Sequence, residues 1–243
     1  MSKFEDYEII KKLFGGAMGK TFLVKLKKTG VEYVMKRIDY LDEQDKKRAD
    51  EEVEQMKKLE SRFTVKLICV FPDRMDLCLI LEYCKNGDLR KVIGELQKLP
   101  IEERINKVWN LFSQITQALD FMHSNQVVHR DIKPENIFLM EDGTIRLGDF
   151  GLAKELTLKY YATIAGTKFY LAAEVYLQNR MTYMSDMFAF GVVLFELLTG
   201  QHPFQSSNEQ ATIDKIKNGQ HSDLPNWVPQ EMKTAIIKMI NTV

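Results

Sequence analysis

The chain is poor in cysteine: among 243 residues only Cys69, Cys78 and Cys84 carry a thiol. The number is odd and no C-x-x-C pair occurs. That argues against a disulfide framework or a zinc site and fits a reducing compartment. Net charge is lacking as well, since 34 Lys and Arg balance 34 Asp and Glu. With no excess of either sign there is no overall attraction for nucleic acid or a membrane surface, so neither is expected as a partner. Long apolar runs are also missing. The longest, 187–198, is too short to cross a bilayer and reads as a buried helix. The first ten residues are polar and acidic, which predicts no signal peptide and a cytoplasmic location, nuclear access remaining open. No internal repeat and no low-complexity linker appears. What is present is a hydrophobic content of 45%, enough for a sizeable core in one large domain or two lobes.

The first third of the chain alternates as strands do, over 7–13, 21–26 and 33–38. A turn at Gly30-Val31 joins two of them. A charged helix is expected over 41–61, with Val53, Met56 and Leu59 on one face. Strands follow at 66–71 and 77–83, with Pro72-Asp73 as their turn. After Asn86-Gly87 the pattern becomes mainly helical. The stretch 101–124 places Ile105, Val108, Leu111, Phe112, Ile115, Leu119 and Met122 on a core face. A strand-rich part before a helix-rich part implies segregated α+β rather than β-α alternation. The join falls near 82–88, which divides the chain into 1–82 and 83–243.

The chemistry concentrates in His129-Arg130-Asp131-Ile132-Lys133-Pro134-Glu135-Asn136, followed by Asp149-Phe150-Gly151. These segments place an acid, a cation and an amide at fixed offsets, then a second acid beside a glycine. Phosphoryl transfer needs that set: an acceptor for the attacking hydroxyl, a cation for the γ-phosphate and hard oxygens for Mg²⁺. Taken alone, Asp131 or Asn136 would read as a turn residue bonding its own backbone. Together, H-R-D-x-K-x-x-x-N and D-F-G resemble the eukaryotic protein kinase family. The resemblance implies a two-lobed kinase-like fold, with a β-rich N-lobe and a helical C-lobe lacking its last helices. It implies ATP and Mg²⁺ as cofactors, Asp131 as base or orienting acceptor, and Lys133 against the transferred phosphate. Asn136 and Asp149 would be the metal ligands.

Other parts of the site come by the same resemblance. Val34-Met35-Lys36 stands at the V-A-I-K position, so Lys36 would hold the α- and β-phosphates. Alone it would read as a solvated strand-edge lysine. Its implied partner is Glu52, which lies beside the apolar face of the helix, with Glu51 and Glu54 as alternatives. The glycine-rich turn is Phe14-Gly15-Gly16-Ala17-Met18-Gly19-Lys20-Thr21. Gly16 and Gly19 match the family's second and third glycines, Phe14 replaces the first, and Thr21 replaces the valine. Glycines there let backbone N–H groups approach phosphate oxygens, and Phe14 is expected to crowd the loop near the ribose. The hinge Leu81-Glu82-Tyr83-Cys84 would meet adenine through the backbone at Glu82 and Cys84, with Leu81 as gatekeeper. Asp88 would contact the ribose or cap the next helix. Phe138, like Val34, is carried into the nucleotide set.

R-D-I-K-P-E-N and Gly166-Thr167-x-x-Tyr170 look like the serine/threonine branch, which implies Ser and Thr acceptors on protein substrates. Leu147 to Ala153 and Asn136 to Leu139 lean toward the NIMA-related group. The activation segment is expected over 149–174, with Thr163 as its switch site for an upstream kinase or autophosphorylation. Thr157, Tyr160 and Tyr161 compete, and Arg130 would pair with the phosphate. Ala172-Ala173-Glu174 departs from the family's A-P-E and loses its proline. Asp186, in Ser185-Asp186-Met187-Phe188-Ala189-Phe190-Gly191, would hold the catalytic-loop backbone. Glu196-Leu197-Leu198-Thr199-Gly200-x-x-Pro203-Phe204 continues the match. An ATP-binding pseudokinase acting as scaffold or allosteric partner is the alternative, motivated by Phe14 and Ala173. A small-molecule kinase is disfavoured by Gly166-Thr167.

Overall fold

Strand β3, Glu32–Asp39, shows how the first part of the chain uses both faces of its sheet. Side chains alternate along it. Antiparallel register sets Val34 between Leu23 and Leu81, and Lys36 between Thr21 and Leu79. Met35, one step away, lies between Phe22 and Ile80 on the opposite face. The whole sheet runs β1-β2-β3-β5-β4, with β1 at Tyr7–Gly16, β2 at Gly19–Leu26, β4 at Leu67–Asp73 and β5 at Asp76–Glu82. The structure is a computed structural model. It describes residues 2–16, 19–155 and 167–241, and of 14–16, 19, 154 and 155 the backbone only. Those residues divide into two compact units, Met1–Lys85 and Asn86–Val243.

The first unit has a core on each sheet face. One is an apolar cluster of Tyr7, Val24, Met35, Phe71, Cys78 and Ile80, with Phe4, Phe22 and Cys69 packed against it. Arg37 closes its margin. The guanidinium lies 5.0 Å over the Phe4 ring and pairs with Asp76 at 2.7 Å and Asp73 at 2.8 Å. The other face carries helix α1, Glu43–Lys58, which packs against β3. Asp42 caps the helix by accepting from the Gln44 and Asp45 amides, and acids in its first turn and lysines in its last suit the helix dipole. Ala49, Glu52, Val53 and Met56 form its buried stripe. The β4–β5 turn differs from expectation. Pro72 and Asp73 pair within the strands, and the reversal is made by Arg74 at φ 57° and Met75. Proline is tolerated there because β4 is an edge strand.

The second unit is built around a helix buried on all sides. Helices α2, Leu89–Leu96, and α3, Ile101–Ser124, come first. The short strands β6, Val127–Val128, β7, Ile137–Leu139, β8, Ile145–Leu147, and β9, Lys154–Glu155, follow as the pairs β6–β9 and β7–β8. Helices α4, Ala173–Gln178, α5, Tyr183–Thr199, α6, Glu209–Lys217, and α7, Gln230–Ile240, complete it. Buried residues make up 13 of the 17 in α5, including Phe188, Phe190, Val192, Val193, Phe195 and Leu197. The 187–198 run is thus a core helix, and no helix among the described residues is long and apolar enough to cross a membrane. Gly191 lets α7 approach closely, because a Cβ there would meet Met239 Cβ at 2.7 Å and Ile240 Cγ2 at 2.8 Å. Gly200, at φ 73°, ends α5 in the left-handed conformation.

Candidate active site

In the first unit, a cation on an otherwise apolar sheet face requires an acid. Lys36 Nζ donates to Glu52 Oε1 at 2.8 Å, with the two side chains 14% and 7% exposed. The α1 periodicity that buries Val53 and Met56 also turns Glu52 inward and leaves Glu54 exposed. Thr21, Val34 and Leu81 share the sheet face of Lys36. Glu82 and Cys84 follow on β5 and just beyond it. Cys84 is buried, and Glu82 Oε1 accepts the Lys66 amide at 2.7 Å. Of the glycine-rich turn, the backbone of Phe14, Gly15 and Gly16 pairs with Thr21, Lys20 and Gly19 across β1 and β2. Ala17, Met18 and the Phe14 side chain lie outside the described residues.

In the second unit, four donors converge on one carboxylate. Asp131 Oδ1 accepts from the Thr167 amide at 3.0 Å and the Thr167 hydroxyl at 3.2 Å. Its Oδ2 accepts from Lys133 Nζ at 2.7 Å and Asn136 Nδ2 at 2.9 Å. Lys133 Nζ also donates to Thr167 Oγ1 at 2.7 Å, so one ammonium bridges two loops. Asn136 Nδ2 makes a second bond to the Asp131 carbonyl at 2.8 Å. Both contacts use the amide nitrogen, which fixes the Asn136 orientation and turns its Oδ1 to the other side. Asp149 sits at φ 61°, ψ 76°, a left-handed conformation that non-glycine residues seldom adopt. No cluster of three or more metal-ligating His, Cys, Asp or Glu occurs among the described residues. A two-oxygen set from Asn136 and Asp149 fits Mg²⁺, which keeps waters and phosphate oxygens in its remaining positions.

The loop before Asp131 is held from α5. Asp186, 1% exposed, accepts the His129 amide on Oδ2 and the Arg130 amide on Oδ1, each at 2.9 Å, and bonds His123 Nε2 at 2.9 Å. Arg130 is thereby kept at φ 72°. Burial lowers its guanidinium pKa, and Asp186 opposes that shift. The His129 ring contacts Phe150 at 5.6 Å and bonds the Gly148 carbonyl. Asp88 caps α2 through the Lys91 amide and bridges to Phe138, which places both beside the loop that carries Asn136. Glu174 accepts from Ser185 Oγ at 2.8 Å.

One cluster escaped the motif reading. Tyr170 OH donates to Glu196 Oε2 at 2.7 Å and accepts from Arg90 Nη2 at 2.5 Å, while Arg90 Nε donates to Glu135 at 2.7 Å. Burial raises the Glu196 carboxyl although the tyrosine hydroxyl and Arg90 favour its charged form. Burial and then the Glu196 charge push the Tyr170 phenol up as well. The signal in the sequence was a glutamate within the apolar stretch of α5 from Met187 to Leu198, a residue that must find partners when buried. Gly166, Thr163, Thr157, Tyr160 and Tyr161 lie outside the described residues.

The protein kinase domain model matches residues 7–243. The chain is 32% identical over 239 residues to serine/threonine-protein kinase Nek6 of Oryza sativa subsp. japonica, covering 97% of this chain and 44% of that protein. It is 35% identical over 219 residues to serine/threonine-protein kinase Nek1 of Mus musculus, covering 88% and 18%. It is 31% identical over 240 residues to serine/threonine-protein kinase Nek5 of Homo sapiens, covering 97% and 34%. The chain thus spans less than half the length of each of these relatives, whose names agree with the lean toward the NIMA-related group. The matched span, with the catalytic-loop and metal-loop motifs inside it, shows that the chain belongs to the protein kinase domain family.

Proposed function

We propose that this domain is a serine/threonine protein kinase that transfers the γ-phosphoryl group of ATP to Ser or Thr hydroxyls of protein substrates. The observation that carries the reading is the Asp131–Lys133–Thr167–Asn136 network, in which every contact distance is 2.7–3.2 Å. ATP supplies the phosphoryl group, and Mg²⁺ neutralises its charge. Asp131 orients the acceptor hydroxyl and takes its proton. Lys133 lies against the transferred phosphate, and Thr167 holds both side chains in register. Asn136 and Asp149 are the metal ligands, and Lys36, braced by Glu52, meets the α- and β-phosphates. Phe14, Gly15, Gly16, Ala17, Met18 and Gly19 are the glycine-rich members of the nucleotide-binding set. Thr21, Val34, Leu81, Glu82, Cys84, Asp88 and Phe138 complete the nucleotide contacts. The two parts 1–82 and 83–243 act as one catalytic domain in the cytoplasm. Thr163 is its switch site, phosphorylated by an upstream kinase or by the protein itself. Arg130 is the cation that receives that phosphate.

The test is Mg²⁺-ATP-dependent phosphorylation of a generic Ser/Thr protein substrate, run beside Asp149→Asn and Lys36→Met. Transfer by the parent that both variants abolish is the expected result. Nucleotide binding without transfer by the parent would overturn the reading in favour of a pseudokinase. Full activity in Thr163→Ala, with Thr163 unmodified in the active parent, would remove the switch assignment.

A further inference from the structure

Three successive residues after Thr167 are each tied to a different element. The Lys168 carbonyl accepts from the Tyr176 hydroxyl, and Lys168 Nζ pairs with Glu209 at 2.5 Å. The Phe169 carbonyl meets His202 Nε2 at 3.0 Å. The Tyr170 hydroxyl reaches Glu196. His202 lies in the loop after α5, at one of the two positions the motif leaves open between Gly200 and Pro203, and the proposed chemistry does not use it.

The surroundings of His202 determine its chemical form. Nε2 faces a carbonyl and therefore carries the hydrogen, while Nδ1 accepts the Phe204 amide at 3.2 Å. Both ring nitrogens are thus committed to backbone groups of separate segments. The ring stands edge-on to Tyr170 at 5.7 Å and 88° and touches Phe169 at 6.3 Å and Phe204 at 6.1 Å. Burial holds the imidazole neutral, with its pKa lowered to about 4, as this pair of bonds requires. Its own loop is anchored independently. Gln201 N donates to Thr199 Oγ1 at 3.1 Å, and Ser222 N donates to the Pro203 carbonyl at 2.8 Å. A fixed loop therefore presents one directed N–H to a turn whose other end, Thr167, bonds Asp131 and Lys133.

We infer that His202 is a positioning residue for the acceptor peptide: through the Phe169 carbonyl it fixes the Thr167–Tyr170 turn, against which a Ser- or Thr-bearing segment is presented to Asp131. The inference rests on the kinase reading and adds a residue outside its motifs. The side chain belongs to neither the nucleotide nor the phosphate contacts proposed above. Its loss acts on peptide binding and leaves ATP binding alone.

The experiment uses the full chain with His202→Gln and His202→Asn. Glutamine can still reach the Phe169 carbonyl with an N–H, whereas asparagine is too short and keeps only an acceptor for Phe204. In steady-state assays His202→Asn is expected to raise the peptide KM about five- to tenfold, the effect of one lost hydrogen bond. ATP KM should stay unchanged and kcat should stay within about twofold. His202→Gln should return the peptide KM to the parent value. In parallel, hydrogen exchange at the Tyr170 and Leu171 amides should quicken in His202→Asn alone, with α3 amides unaffected. Equal behaviour of the two variants, or a change in kcat or ATP KM with peptide KM constant, would overturn the inference. If the parent transfers no phosphate, the kinase reading fails by itself. The exchange comparison then still decides whether His202 holds the turn.

Discussion

Replacing Asp186 by asparagine changes one heavy atom and should cost as much stability as truncating a large core side chain. The carboxylate sits 1% exposed and serves three donors: the His129 amide, the Arg130 amide and the His123 ring nitrogen, all at 2.9 Å. The two backbone amides approach different oxygens, so an asparagine can satisfy only one of them. The other meets an NH₂ group, donor against donor. Losing a bond to a charged acceptor costs about 1.5–3 kcal/mol, and leaving a buried amide without a partner costs roughly 1–3 kcal/mol more. The sum is about 2.5–6 kcal/mol, a large share of the stability of a domain this size. The left-handed backbone at Arg130, φ 72°, loses its restraint in the same step. Equilibrium urea unfolding of Asp186→Asn against the parent measures the difference. An isosteric variant within about 1 kcal/mol of the parent would refute the claim that this carboxylate holds the catalytic loop.

Thr167→Ala should lower kcat by about tenfold, because it removes the hydroxyl's bonds to Lys133 Nζ and Asp131 Oδ1 and leaves only the Thr167 amide on Asp131; Thr167→Ser, which keeps the hydroxyl, should recover most of it in the same peptide assay. Gly191→Ala should destabilise by about 1–3 kcal/mol in a thermal melt, because the added methyl would lie 2.7 Å from Met239 Cβ. His202, with its pKa lowered by burial to about 4 from 6.5, binds a proton more readily in the unfolded chain. Its contribution is therefore complete above pH 6.5 and declines as pH falls toward 4, by about 3 kcal/mol in all. Urea midpoints across that window should show a shallower pH slope in His202→Gln.

The Lys36–Glu52 contact was legible through the V-A-I-K resemblance, which implied a glutamate partner for Lys36 in the next helix. The 3.6 period of Val53, Met56 and Leu59 then singled out Glu52 among three neighbouring acids. The catalytic loop was legible as a motif, since its spacing is local. The Pro72-Asp73 turn was misplaced because proline usually breaks a strand, while an edge strand tolerates it. The residue that does adopt positive φ, Arg74, carries no compositional sign of doing so. The Arg90–Tyr170 and Tyr170–Glu196 bonds span separations of 80 and 26 residues, which no periodicity can pair. His202 was hidden for a different reason. Its role comes from two backbone partners, and backbone groups leave no trace in a sequence.

Helix α5 carries two buried carboxylates that anchor other segments, Asp186 near its start and Glu196 near its end. They are ten positions apart, so the rise of the helix separates them by about 15 Å. One holds the loop that would meet the phosphate, and the other holds the turn that would meet the peptide. The helix therefore works as a gauge between two ends of a reaction site. Adding a single residue between Asp186 and Glu196 would turn one anchor by about 100° relative to the other. Loops elsewhere in this domain can lengthen without consequence for that distance, whereas the length of this one segment is bound to the spacing of the chemistry it supports.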